Sequence, residues 1–145
     1  NKWPNDVLIN NKKVAGILLK SFTTSQKDNF IVVGMGINLI SNPDKVNFDA
    51  TNLKDENCQE FGWENILKKF LDNFSELYIK YQQFGFAPIR NLWLKDAYML
   101  GKQIKINLKD QKVTVQFKDL NKDGNLIIKD ENNNIKTIHS GEIFL

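Results

Sequence analysis

Between Trp63 and Phe84 the apolar residues take up a helical period, and strand-like runs lie on either side of them. Ile66, Leu67, Phe70, Leu71, Phe74, Leu77, Tyr78 and Tyr81 recur at three- and four-residue steps. Lys68, Lys69, Asp72, Asn73, Glu76 and Lys80 fill the opposite face. That spacing predicts an amphipathic helix. Gly85 suits its C-terminal cap. Pro88 opens a second, shorter helix through about Ala97, carrying Ile89, Leu92, Trp93 and Tyr98. The aromatics of both helices are expected in the core rather than stacked on a cofactor.

The residues before this helix read as strands. Val7-Leu8-Ile9 is followed by Asn10-Asn11, a dipeptide that tolerates the positive φ angles of a tight hairpin turn. Val14-Ala15-Gly16-Ile17-Leu18-Leu19 and Phe30-Ile31-Val32-Val33-Gly34-Met35-Gly36-Ile37 follow, separated by a polar turn near Thr23–Asn29. These two runs are nearly continuous and β-branched, as in strands covered on both faces. Three antiparallel strands with short turns are the simplest arrangement. Ser41–Phe61 is polar and aperiodic, so a long functional or mobile loop is expected there.

Beyond Gly101 every segment reads as a short strand: Gln103–Leu108, Val113–Asp119, Leu126–Lys129, Ile135–His139 and Glu142–Leu145. Lys109-Asp110-Gln111, Asp123-Gly124-Asn125 and Asn132-Asn133-Asn134 supply the turns. Five short strands in such a span can close into a small SH3-like barrel with a thin core. The fold class is therefore α+β. An antiparallel or mixed sheet with packed helices occupies residues 1–99, and a small barrel occupies 100–145.

Composition removes several function classes. With 41% hydrophobic and 26% charged residues, the chain is neither disordered nor fibrous. No apolar run has the length of a membrane span. The net charge of +3 arises from 20 basic and 17 acidic residues. All the basic residues except Arg90 are lysines, and they are interleaved with Asp and Glu. This is the pattern of a solvated surface rather than of base recognition, which leans on arginine. Cys58 has no cysteine partner within the chain, which fits a reducing cytoplasm. Cys58 and the lone His139 supply no zinc ligand set. The chain starts at Asn1, without a signal-peptide pattern, and runs straight into a dense motif. Its start therefore reads as a break inside a longer protein.

That motif is the first of three in the opening forty residues: Lys2-Trp3-Pro4-Asn5-Asp6, Lys13-Val14-Ala15-Gly16-Ile17-Leu18 and Gly34-Met35-Gly36-Ile37-Asn38. In a single sheet, two lysines, a carboxylate and two carboxamides would gather near common strand ends. Glycines there would let a ligand approach the backbone. Lysines supply point charges for an anion, while Asp and Asn can hold Mg²⁺ directly or through water. Each piece also has a structural reading. Trp3-Pro4 can be a buried ring and a rigid turn, Asn5-Asp6 a cap, Gly16 and Gly36 relief of crowding, and Lys13 an ordinary edge lysine. From chemistry alone the site is one for an anionic ligand with a possible metal.

In order and spacing, with Asp6 and Lys13 seven positions apart, the three motifs resemble those of the biotin–protein ligases. The resemblance continues through the amphipathic helix and the Trp93 region to Ser140-Gly141-Glu142-Ile143. It implies a class II synthetase-like ligase domain followed by the small barrel. It also implies ATP-dependent activation of biotin as biotinyl-5′-AMP, then transfer to a lysine of a biotin carboxyl carrier domain. By the same resemblance, Lys13 is the catalytic lysine at the biotin carboxylate and adenylate phosphate, and Gly16, Gly34 and Gly36 line the biotin rings. Lys2, Asn5, Asp6 and Asn38 handle ATP and Mg²⁺, with Asp6 as the metal ligand. The strand after Lys13 offers an edge for carrier docking or for a homodimer.

The sequence departs from the family at its front. The family's Gly- and Arg-rich loop lies upstream of the first motif, and Arg90 sits far downstream of it. The chain is thus expected to be the C-terminal portion of a ligase, with little adenylation activity by itself. Nucleic acid enters only if a further N-terminal domain is present. A lipoate-type acyl ligase and a non-catalytic binding module are the competing readings.

Overall fold

The computed structural model describes all residues except 45, 47, 60, 61, 109, 110, 142, 144 and 145, and the side chain of Leu108. It is an α+β chain of seven strands and two helices among these residues: β1 (Asp6–Ile9), β2 (Lys12–Thr23), β3 (Asn29–Ile37), α1 (Trp63–Phe84), α2 (Ala87–Lys95), β4 (Gln103–Leu108), β5 (Gln111–Leu120), β6 (Leu126–Lys129) and β7 (Ile135–Ile138). The chain divides into two compact units, one of Asn5–Gln59 and one of Asn1–Pro4 with Glu60–Leu145.

In the first unit β1, β2 and β3 form an antiparallel sheet in that order. Asn10 and Asn11 have φ of 50° and 64°, so the dipeptide makes the left-handed turn that its chemistry predicts. The ladder between β2 and β3 runs unbroken from Ala15 opposite Ile37 to Thr23 opposite Asn29, with Gly16 opposite Gly36 and Leu18 opposite Gly34. The segment after β3 is more ordered than its composition suggests. It is stitched back to the sheet through bonds from Leu53 N–H to the Asn38 carbonyl and from Lys54 N–H to the Leu39 carbonyl, both 3.0 Å.

In the second unit β4–β7 form a four-stranded antiparallel meander. Ile143 then bridges antiparallel to Ile106 on β4, which brings the chain end back to the first strand of the sheet. The rest of the expected fifth strand, and the turn at Lys109-Asp110, lie outside the described residues. Alternate residues point inward, so Ile104, Ile106, Val115, Phe117, Leu126, Ile128, Ile138 and Ile143 form one buried cluster. Trp93, Leu94, Ala97 and Met99 pack against it from the α2 side. Trp93 meets Phe117 edge to face at 6.4 Å, a favoured aromatic geometry.

Helix α1 departs from the expectation of a fully core-facing aromatic stripe. Its Gly85 cap is as predicted, with φ 69° and an N–H bond to the Tyr81 carbonyl of 2.8 Å. However, Ile66, Phe70 and Leu77 are only half-buried, and Trp63, Leu71, Phe74, Tyr78, Tyr81 and Phe84 are exposed. The apolar stripe is wide, and only its inner row gains cover. Phe70, Phe74 and Tyr78 stack on one another along the helix at 5.6 and 6.0 Å. The second helix ends at Lys95, earlier than expected, and is followed by a turn in which Met99 takes a φ of 62°.

Candidate functional site

Lys13 stands at the start of β2, beyond the end of the β2–β3 ladder, where its backbone has no partner on β3. The segment Asp49–Thr51 takes that place: Lys13 N–H donates to the Asp49 carbonyl (2.8 Å), and Thr51 N–H donates to the Lys13 carbonyl (2.9 Å). This is a short parallel bridge between Lys13 and Ala50. The ammonium of Lys13 lies 2.6 Å from Asp6 Oδ1. Asp6 is 8% exposed, whereas Lys13 retains 26%. The antiparallel pairing sets this up, because Asp6 faces Gly16 across the β1–β2 ladder. Lys13 Nζ also lies 4.9 Å from the centre of the Phe48 ring, within cation–π range.

Gly16 forms the wall beside this pair. A Cβ built there would lie 3.5 Å from Lys13 Cε, 3.6 Å from Nζ and 3.7 Å from Asp6 Oδ1. A Cβ built at Gly36, directly opposite Gly16 on β3, would meet open space, and one built at Gly34 would lie 3.6 Å from the Leu18 carbonyl oxygen. The motif glycines therefore make the sheet low beside the ion pair and between β2 and β3.

The two carboxamides have structural work. Asn5 clasps Ile17 at both ends: its Nδ2 donates to the Ile17 carbonyl (2.8 Å), and its own carbonyl accepts the Ile17 N–H (2.9 Å). Asn38 donates from its main chain to the Val14 carbonyl (2.8 Å) and from Nδ2 to the Thr51 carbonyl (2.9 Å). Each amide is thereby fixed by its nitrogen. Lys2 belongs to the other unit, where it is buried. Lys13, Asp6, Gly16, Asn5, Asn38, Gly34 and Gly36 all belong to the β1–β3 unit.

Sequence reasoning missed the loop residues that frame Lys13. Asn52, 2% exposed, donates from Nδ2 to Asp55 Oδ2 (2.7 Å) and Asn42 Oδ1 (3.0 Å), and its oxygen accepts the Asp55 N–H (2.9 Å). Glu56 accepts from the Thr51 hydroxyl (2.7 Å) and, with its other oxygen, from Asn10 Nδ2 (2.6 Å). The Asn52-x-x-Asp55 spacing is the local signal, since short polar side chains there close their own turn. Nothing comparable in the sequence marks Phe48.

Among the described residues no group of three His, Cys, Asp or Glu side chains comes together as a metal site. Asp6 alone fits an ion that takes its remaining ligands from substrate phosphates and water, which is how Mg²⁺ is commonly bound.

An ammonium with a fixed carboxylate partner, set against a low glycine-walled sheet, has the chemistry that suits a class of protein handling an anionic small molecule. Comparison with known proteins gives that class its family. Residues 1–38 match the model of the biotin/lipoate A/B protein ligase family, and residues 99–145 match that of the biotin protein ligase C-terminal domain. The bifunctional ligase/repressor BirA of Bacillus subtilis is 31% identical over 99% of this chain and 45% of its own length. A biotin–[acetyl-CoA-carboxylase] ligase of Paracoccus denitrificans is 40% identical over 71% of this chain and 45% of its own. Among solved structures, the apo biotin protein ligase of Aquifex aeolicus superposes with a TM-score of 0.79 at 31% identity, covering 99% of this chain and 62% of that one. The same enzyme in complex with biotin and ATP gives 0.78 at 31% identity, over 99% and 60%. The chain is thus similar to biotin protein ligases over nearly its whole length. It spans about half the length of the curated relatives it matches.

Proposed function

We propose that this chain forms the C-terminal portion of an ATP-dependent biotin ligase, residues 1–99 completing the catalytic domain and 100–145 forming the terminal one. In the first step a biotin carboxylate oxygen attacks the α-phosphorus of ATP, and the bond to pyrophosphate breaks. In the second, the amine of a lysine on a biotin carboxyl carrier domain attacks the acyl carbon. An amide forms, AMP leaves, and the amine gives up a proton.

The observation that carries this reading is Lys13. Its ammonium is aimed by Asp6 and by two main-chain bonds, it keeps a solvent-facing side, and it borders Gly16. A cation so placed stabilises the carboxylate and the charge gathering on phosphorus without having to reorganise during the reaction. Gly34 and Gly36 give room for the biotin rings. Lys2, Asn5, Asp6 and Asn38 serve the nucleotide, with Asp6 as a ligand to Mg²⁺. Magnesium would screen the phosphate charge when bound. The stretch of β2 after Lys13 that lies beyond the β1 ladder suits carrier docking or self-pairing, and a cytoplasmic setting suits the lone Cys58. DNA binding would require a domain upstream of these residues.

The test is ATP–pyrophosphate exchange by the ligase polypeptide that carries this chain, with biotin, lipoate or octanoate. Biotin alone should drive it, and exchange driven by lipoate only would replace this reading with the lipoate one. Lys13→Ala should lower first-step turnover roughly 10²-fold or more. Residues 1–145 by themselves should make little biotinyl-AMP.

A further inference from the structure

Trp3 sits in the middle of the first motif, yet its ring belongs to the core of the β4–β7 sheet. It is 5% exposed and forms part of the same buried cluster as Ile104, Phe117 and Ile143. Its indole Nε1 donates to the Gly124 carbonyl at 3.1 Å, across 121 positions of sequence. On another side the ring reaches Gly141, where a built Cβ would come within 3.8 Å of it. Two residues before it, the Asn1 carbonyl accepts the Tyr98 N–H at 2.6 Å. The segment 1–3 is thus fastened to the C-terminal half both by main chain and by side chain.

The receiving carbonyl is itself preset. Gly124 has a φ of 78°, in a turn closed by Asn121. The Asn121 side-chain oxygen accepts the N–H groups of Asp123 and Asn125, both at 2.9 Å, and its main-chain N–H donates to the Asn125 carbonyl at 2.9 Å. Only a residue without Cβ takes that backbone conformation readily. A ring needed only to fill volume would not require a donor; a buried indole N–H aimed at a fixed acceptor sets direction as well as bulk.

We infer that Trp3 is a positioning residue: its indole, tied to the Asn121–Asn125 turn, sets where the adjoining Lys2 backbone lies on the C-terminal sheet. This rests on the reading of Lys2 as a nucleotide-handling residue and extends it. The C-terminal sheet then contributes to ATP binding without touching ATP, through one hydrogen bond and the ring that makes it. Apolar packing alone would hold the segment but would leave its rotation about the ring less determined.

The test separates this role from plain stability. Trp3→Phe keeps most of the ring and removes the N–H donor; Trp93→Phe trims the same core without altering residues 1–3. In this chain the Tyr98 amide, which reports the docking of Asn1, should exchange with solvent at least about tenfold faster in Trp3→Phe. The amides of Phe117 and Ile128 should stay within about twofold, and Trp93→Phe should leave Tyr98 unchanged. In the ligase polypeptide, Trp3→Phe should raise KM for ATP by about fivefold, with KM for biotin and kcat within about twofold. Unchanged Tyr98 exchange, or an equal rise in both KM values, would overturn the inference. A wild-type polypeptide with no biotin-dependent exchange defeats the ligase reading instead, and Tyr98 exchange alone then decides whether Trp3 anchors the segment.

Discussion

The two sheets of this chain are woven from similarly apolar strands and hold them in opposite ways. In β5 and β6, Phe117, Leu126 and Ile128 have almost no exposed surface. In β2 and β3, Leu18, Leu19, Ile31 and Val32 keep more than half of theirs. The register explains why so much of that surface is apolar. Phe30 and Val32 lie on one face of β3 and Ile31 and Val33 on the other, opposite Phe22, Lys20, Ser21 and Leu19. One sheet gains its cover from inward-pointing neighbours and a returning chain end. The other is organised at its Lys13 end by polar fastenings: an ion pair, a buried carboxamide and a two-bond bridge. Shape in the second unit is a matter of packing; around the candidate site it is a matter of hydrogen bonds.

The sharpest way to break that comparison is a pair of truncations. Phe117→Ala should lower unfolding free energy by about 3–5 kcal/mol, the usual cost of emptying a core aromatic site. Ile31→Ala, at 69% exposure, should cost less than about 1 kcal/mol; urea unfolding of both variants measures the gap. Comparable losses would mean that β3 is packed as tightly as β5. A middle-sized effect is expected where the polar fastening fails. Asn52→Ala removes three hydrogen bonds from a buried position and should cost about 2 kcal/mol, with new protease cleavage between residues 40 and 59. Cleavage no faster than in the parent chain would show that Asn52 does not hold the loop.

The smallest effect concerns acid. Hydrogen bonding from Lys136, with main-chain and side-chain help from Asn134, holds the Asp130 carboxyl down at about 2, below its ordinary 3.8. The carboxylate is therefore favoured by folding. Its contribution is fully present above the ordinary value and fades as pH falls through about 2. Acid unfolding followed by tryptophan fluorescence should show a small loss of stability in that window. Asp130→Asn should remove it; the same pH dependence in that variant would assign the effect elsewhere.

Much of this architecture was legible because its signals are local. The Asn10-Asn11 turn, the α1 period and the Gly85 cap each depend on a few adjacent residues, and each stands where its chemistry places it. The gathering of the motif residues near common strand ends was legible one step further out, but the Lys13–Asp6 ion pair was not, since across the β1–β2 ladder Lys13 faces Leu8 and Asp6 faces Gly16. What escaped depended on distant partners. Phe48 earns its place only because Asp49–Thr51 pairs with Lys13, and no spacing rule reports that bridge. Trp3 reads as part of a motif, but the carbonyl it serves lies at Gly124. The width of the α1 stripe says how much surface wants cover without saying which residues receive it.

Gly16 gives the ion pair a property that distances alone do not express. Any side chain at that position would lie in ordinary contact with Lys13 Cε, Nζ and Asp6 Oδ1 together, and would roof the pair. With hydrogen in its place, the contact stays open on one side, so water can compete for the ammonium. A pair open to competition trades partners quickly, whereas a roofed one would have to break before anything replaced it. On the function proposed above, the missing methyl would let Lys13 pass from Asp6 to an arriving anion without first being left bare.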